Sequence, residues 1–257
     1  MASSPQSPVL ELEGVGKRFS DGTPALDGID LEVRRGELVS VVGPSGCGKS
    51  TLLRIVAGLT MPSSGMVVLR TRRIGFVFQE PTPLPWRSLR ANVERLGELE
   101  GIPRSERQRL AGEAIVVVGL GEFAGHPPRA LSGGTRMRAS LARSLTLRPD
   151  LFLLDEPFGA LDELTRHRLT DELAQLLLER GFAALLVTHS VTEAVFLSSR
   201  VVVLSAPPGR VVGAFPVPFP YPRAPRLRYS GAFARVAGEV SACLRAVGQR
   251  PAGVERG

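Results

Sequence analysis

The stretch "ELVSVVGPSGCGKSTLL", Glu37 to Leu53, decides the fold. It begins as a continuous apolar run that ends in glycine, the pattern of a strand buried on both faces of a parallel sheet. It continues into "KSTLLRIVAGL", which has helical spacing and a stop at Gly58. Between the two, Gly43-Pro44-Ser45-Gly46-Cys47-Gly48-Lys49-Ser50-Thr51 fits G-x-x-x-x-G-K-[ST]. The glycines let backbone N–H groups converge on phosphate oxygens without interference from Cβ atoms. Lys49 is expected to reach the β- and γ-phosphates of a nucleotide, and the Ser50 hydroxyl to bind Mg2+. The helix that follows points its positive end at the same place.

Working outward, "LFLLDEP" puts Asp155 and Glu156 at the end of a second buried strand. Asp155 is expected to hold the magnesium shell, and Glu156 to orient and polarise an attacking water. Adjacent strand residues point opposite ways, so the two carboxylates are expected to have different tasks. His189 ends a third such strand, "FAALLVTH", where it can donate to a γ-phosphate or simply be a satisfied strand-end histidine. Gln79 ends "RIGFVFQ". It can touch Mg2+ or the water, or it can be an exposed polar residue. Phe19 can stack on adenine or belong to the core. "LSGGT", Leu131 to Thr135, is a second glycine turn opening a helix, and so a second phosphate-holding shape in a chain that already has one.

The chain has 257 residues, room for one large domain or one domain with an inserted subdomain, and its 43% apolar content is enough for a sizeable core. "VLELEGVGKRF" and "GIDLEVRRGE" alternate as half-buried strands. From about Arg87 to Gly125 the texture changes to short amphipathic helices, with "SERQ" (105–108) as a capping box for one of them, and a helical subdomain inserted in the α/β core is expected over about 87–145. "LFLLDE", a helix over "ELTRHRLTDELAQLLLERG" and "AALLVTH" form a parallel crossover. "VVVLSAPPGRVVGAFPV" reads as a hairpin, "PFPYPRAPRLR" as an irregular connector, and Ala232 to Val247 as a last helix. Residues 1–8 are expected to be disordered, and their polar composition does not suit a signal peptide. The net charge of +7 comes from a chain whose only lysines are Lys17 and Lys49. It reads as an arginine-rich composition, with no nucleic-acid partner expected. Cys47 and Cys243 have no metal or redox spacing, which fits a reducing, cytoplasmic setting.

In their order, "GPSGCGKST", Gln79, "LSGG", "LFLLDEP", "GALD" and His189 resemble the ATP-binding subunits of ABC transporters. The resemblance runs from about Val9 to Gly213. Within it, "VFQEPTPLPWRSLRANV", "DEPFGALD" and "VTHSVTEAVFLSSRVVVLS" are similar to the nitrate/sulfonate/taurine importer branch. The resemblance implies an α/β fold: a P-loop NTPase parallel-sheet core with an N-terminal antiparallel β subdomain and an inserted α-helical subdomain. It implies an ATPase unit over 9–215, with 216–257 as connector and terminal helix, using ATP and Mg2+. It also answers the second glycine turn, because in this family cassettes pair head to tail. Ser132, Gly133, Gly134 and Asp162 would then serve the ATP of a second copy.

By the same resemblance Phe19 is the adenine-stacking aromatic, Gln79 the coupling glutamine that also meets the metal, Glu156 the catalytic carboxylate and His189 its catalytic companion. Ala160, Leu161 and Asp162 form the loop facing the partner. Transmembrane permease subunits would contact "PTPLPWRSLRANV", with a solute-binding protein as indirect partner. The chain would sit peripherally on the cytoplasmic face of the inner membrane. Thr135 stands where Gln or Met is more common, Met137 where Gln is usual, and Ser190 where Asp is common. The segment Gly65 to Ile74 is shorter than the usual hairpin. A competent ATPase with an altered rate is the expectation. A non-transport ABC ATPase and a weakly hydrolysing regulatory cassette are the alternatives.

Overall fold

The computed structural model describes residues 8–159 and 161–248. The amino-terminal segment expected to be disordered, apart from Pro8, lies outside them, as does Ala160. An antiparallel sheet of order β2-β1-β4 is built from β1 (Leu10–Arg18), β2 (Pro24–Val33) and β4 (Ser64–Leu69). The short segment 65–74 therefore carries one strand, β4, and then leads directly into the next sheet. That larger sheet combines β3 (Leu38–Val42), β5 (Ile74–Val77), β6 (Leu151–Asp155), β7 (Ala183–Val187), β8 (Arg200–Leu204) and β9 (Val211–Pro216). Its order is β5-β6-β7-β3-β8-β9, parallel except for β9, which forms the expected hairpin with β8.

The central strands are apolar at almost every position, yet the two-residue period still sorts them. Phe152 and Leu154 of β6 enter one core with Ala184 and Leu186 of β7 and with Val201 and Val203 of β8. Leu151, Leu153, Leu185, Val187 and Val202 enter the other. The second core is closed by β1, β2 and α1 (Lys49–Val56). The first is closed by α6 (Glu163–Arg180), α7 (Val191–Leu197) and α8 (Gly231–Gly248). Phe152 alone, 1% exposed, contributes roughly 2–3 kcal/mol of transfer free energy.

The inserted helices are α2 (Leu89–Val93), α3 (Arg95–Leu99), α4 (Arg104–Val117) and α5 (Gly133–Leu145). Leu89, Val93, Ala111, Ile115, Leu120 and Ala142 give them a core of their own. The capping box expected at Ser105 is absent. Helix α4 starts two residues earlier, with Pro103 at the cap and no side-chain cap. Proline's fixed φ makes it a ready helix entrance, and Ser105 is already inside the first turn.

The connector after β9 is tied down more firmly than its composition suggested. Buried Arg223 donates from Nη1 to the carbonyls of Val195, Phe196 and Ser198, and from Nε and Nη2 to Phe219. Val217, Phe233, Val236 and Val240 then share a core with Phe196 and Val201 of the sheet unit.

Candidate active site

Three of the parallel strands, β3, β6 and β7, deliver their carboxyl ends to one place. After β3 the chain turns through residues 43–48 into α1. Gly48 has φ +95, and a Cβ there would lie 2.6 Å from the Ala25 carbonyl oxygen, so only glycine fits. Lys49 is 7% exposed. Its Nζ folds back to donate to the carbonyls of Gly43 and Pro44, both at 2.9 Å. Among the described residues, the backbone N–H groups of Gly46, Gly48, Ser50 and Thr51 meet no acceptor within the chain. A row of unmatched donors running from the loop into the first turn of a helix, beside a buried ammonium, is a cradle for a polyanion.

Ser50 Oγ donates to Asp155 Oδ1 at 2.9 Å across 105 residues of sequence. Burial raises the Asp155 carboxyl above its ordinary value. The Ser50 hydrogen bond opposes that rise, and the neighbouring Glu156 charge adds to it. A divalent cation would restore the charged form, so the hydroxyl and carboxylate fit a hard, oxygen-seeking ion such as Mg2+.

Glu156 differs from its expected setting. It lies just past β6, with φ +44, and its N–H donates to the Val187 carbonyl at 2.8 Å. The two carboxylates diverge because the chain turns at Glu156, not because strand residues alternate. Glu156 Oε2 is 3.0 Å from His189 Nδ1 and 3.5 Å from Gln79 Nε2. The three residues come together although 77 and 33 positions separate them. The carboxylate is aimed from two sides, an arrangement that can accept a proton from a water.

Phe19, which could have been core, is 42% exposed just beyond β1, with Lys17 Nζ 5.7 Å from its ring centre. An open aromatic face backed by a cation suits a stacked base. The remaining glycine turn is set apart. Ser132 caps α5, accepting from Thr135 N at 3.2 Å and lying 2.9 Å from Thr135 Oγ1. Among the described residues, neither Ser132, Gly133 nor Gly134 hydrogen-bonds to residues 43–51. Gly134 is packed against the loop that follows β6, since a Cβ there would sit 2.9 Å from Leu161 Cδ2. Asp162 caps α6 by accepting from Thr165 N at 3.0 Å.

The departures have local explanations. Thr135 completes the Ser132 cap, Met137 is buried in the core that holds Phe158 and Leu161, and Ser190 caps α7 by accepting from Glu193 N at 3.3 Å. The sequence reading missed a link beneath these loops. Arg166 Nη2 donates to the Leu161 carbonyl at 2.8 Å, and its Nε lies 3.5 Å from Glu193 Oε1. Glu193, 7% exposed, accepts from Thr188 Oγ1 at 2.6 Å, next to His189.

The family model for the ABC transporter matches residues 26–159. The chain belongs to the ABC transporter family. It is 46% identical over 222 residues to an aliphatic sulfonates import ATP-binding protein of Xanthomonas axonopodis pv. citri, covering 83% of this chain and 88% of that one. It is also 46% identical over 228 residues to a bicarbonate transport ATP-binding protein of Synechococcus elongatus, covering 83% of this chain and 34% of that longer protein. Among solved structures, a dimeric post-hydrolysis state of the ATP-binding cassette MJ0796, bound to ADP and Pi, superposes with a TM-score of 0.73 at 31% identity. That match covers 82% of this chain and 99% of the cassette.

Proposed function

We propose that this chain is the ATP-hydrolysing subunit of an ABC importer for a small anion or organosulfur solute. The observation that carries the reading is the meeting of Glu156, His189 and Gln79 beside the Ser50–Asp155 pair and the Lys49 cradle. In this reading residues 43–51 wrap the phosphates and Phe19 stacks on adenine. Ser50, Gln79 and Asp155 would hold magnesium, which would offset phosphate charge when bound. Glu156 takes a proton from water as that water attacks the γ-phosphorus and ADP leaves. His189 fixes the carboxylate's orientation.

Ser132, Gly133, Gly134 and Asp162 complete the site of a second copy. The isolation of Ser132 from its own phosphate loop and the dimeric relative bound to ADP and Pi support this. The ATPase unit spans 9–215, with the helical insert over 87–145. Exposed Trp86, at 76%, suits a contact with permease subunits, and a solute-binding protein would act through them. Among the described residues no helix is long and apolar enough to cross a membrane. A peripheral position at the cytoplasmic face, held by those subunits, follows from the reading. The sulfonate and bicarbonate relatives support an anionic solute class.

The test pairs two measurements. ATPase rate per molecule should rise with protein concentration. Glu156→Gln, with water activation removed and both phosphate grips kept, should form a dimer on a sizing column only with MgATP. A concentration-independent rate in a persistent monomer would count against the shared site. Binding without turnover would favour a regulatory cassette.

A further inference from the structure

The nucleotide loops leave the carboxyl ends of the parallel strands. At the opposite end, where β5, β6 and β7 begin, lies a cavity of about 410 Å3. One wall comes from the insert, through Leu110 and Ala114 of α4 and Leu145 of α5. The other comes from the sheet unit, through Leu176 of α6 and Phe182. The rim carries Arg73, Arg148 and Arg180 with Glu113 and Asp150. The acids are already matched, Asp150 by Arg73 at 2.5 Å and Glu113 by Arg109. Among the described residues, Arg148 and Arg180 form no ion pair, and Glu106, whose charge Arg148 feels, is itself paired with Arg109, so two guanidinium groups border the apolar walls without a directly bonded acid.

The two halves of this lining restrict the occupant. A small inorganic anion would satisfy the arginines and leave the apolar walls wet. A neutral apolar molecule would fill the chamber and strip water from charges it cannot match. A cavity of this size lies in the range of roughly 300–1,000 Å3 that small-molecule sites occupy. We propose that it binds a small amphipathic organic anion, a carboxylate or sulfonate head on Arg148 and Arg180 with an apolar body between α4 and α6. Such a ligand bridges the helical insert and the sheet unit, and so restrains one against the other. This inference stands apart from the ATPase reading, because its test needs no turnover.

The probe is sodium 1-octanesulfonate, titrated calorimetrically into the full chain beside sodium sulfate and 1-octanol. One-to-one binding tighter than about 1 mM is expected for octanesulfonate. The other two probes should bind at least tenfold more weakly. Arg148→Gln/Arg180→Gln, at exposed positions, should keep its thermal midpoint and lose at least tenfold in octanesulfonate affinity. Amide exchange should slow in both α4 and α6 on binding. Octanesulfonate affinity unchanged by the double substitution, sulfate or octanol binding as tightly, or protection confined to one helix would overturn the proposal. So would the absence of octanesulfonate binding at about 1 mM.

Discussion

Removing the Lys49 ammonium tests the phosphate cradle most directly. In the free protein Nζ donates to two backbone carbonyls at 2.9 Å, from a position only 7% exposed. On nucleotide binding those donors would turn to phosphate oxygens. Hydrogen bonds to charged groups contribute about 1.5–3 kcal/mol each, so two are worth about 3–6 kcal/mol before the lost carbonyl bonds are subtracted. A net loss of about 3 kcal/mol weakens binding roughly a hundredfold. With MgATP at a hundred times the wild-type dissociation constant, the wild-type protein gains about 2.7 kcal/mol. At about 2.1 cal/mol/K of unfolding entropy per residue, that shifts the midpoint by about 5 °C. Lys49→Ala at the same nucleotide concentration should shift by less than about 1 °C, measured against its own nucleotide-free midpoint. Its turnover should fall to background. A full shift with normal turnover in Lys49→Ala would refute the reasoning.

Three further outcomes follow from other parts of the fold. Ser132→Ala removes the α5 cap and should cost about 1 kcal/mol in denaturant unfolding, while the concentration-dependent part of the ATPase rate drops at least tenfold. An unchanged rate would leave Ser132 a cap and nothing more. Arg166→Met leaves Glu193 buried without its partner and should destabilise by about 3 kcal/mol in urea, with part recovered by adding Glu193→Gln. Full additivity of the two would dissolve the link. In the insert, hydrogen bonds from Arg87 and then Arg95 hold the Glu98 carboxyl down at about 2, from 4.5. The folded value lies below the unfolded one, so its stabilisation is complete above about 4.5 and fades as pH falls towards 2. Glu98→Gln should therefore flatten the acid limb of the pH–midpoint curve, and a limb of unchanged slope would exclude this clamp.

What could be read from the sequence was what local chemistry decides. The phosphate loop is legible because its glycines, lysine and serine act within nine consecutive residues. The strands carrying Asp155 and His189 are legible because a doubly buried strand leaves an unbroken apolar run. Strand order is not written in any segment. β7 lies between β3 and β6, so the Ser50–Asp155 bond spans a strand from much later in the chain. Arg166 and Glu193 are not legible in the sequence, because a charge on an amphipathic helix is usually solvated and only the packing of α6 on α7 makes them partners. Phe19 was ambiguous for the opposite reason, since one aromatic at a strand end suits either core or surface. The capping box failed because a Ser-x-x-Gln spacing says nothing of where the preceding proline starts the helix.

If Glu156 acts as proposed, its left-handed backbone sets stability against activity at a single position. A non-glycine residue in that conformation costs on the order of 1 kcal/mol, and the carboxylate also crowds its charge against buried Asp155. Any search that ranks substitutions by folding free energy alone should therefore favour glycine at position 156. Under the proposed mechanism it would select a sturdier protein that has lost its proton acceptor. Thermal screening of this chain is for that reason a poor guide to its chemistry, and libraries built for robustness need position 156 held fixed.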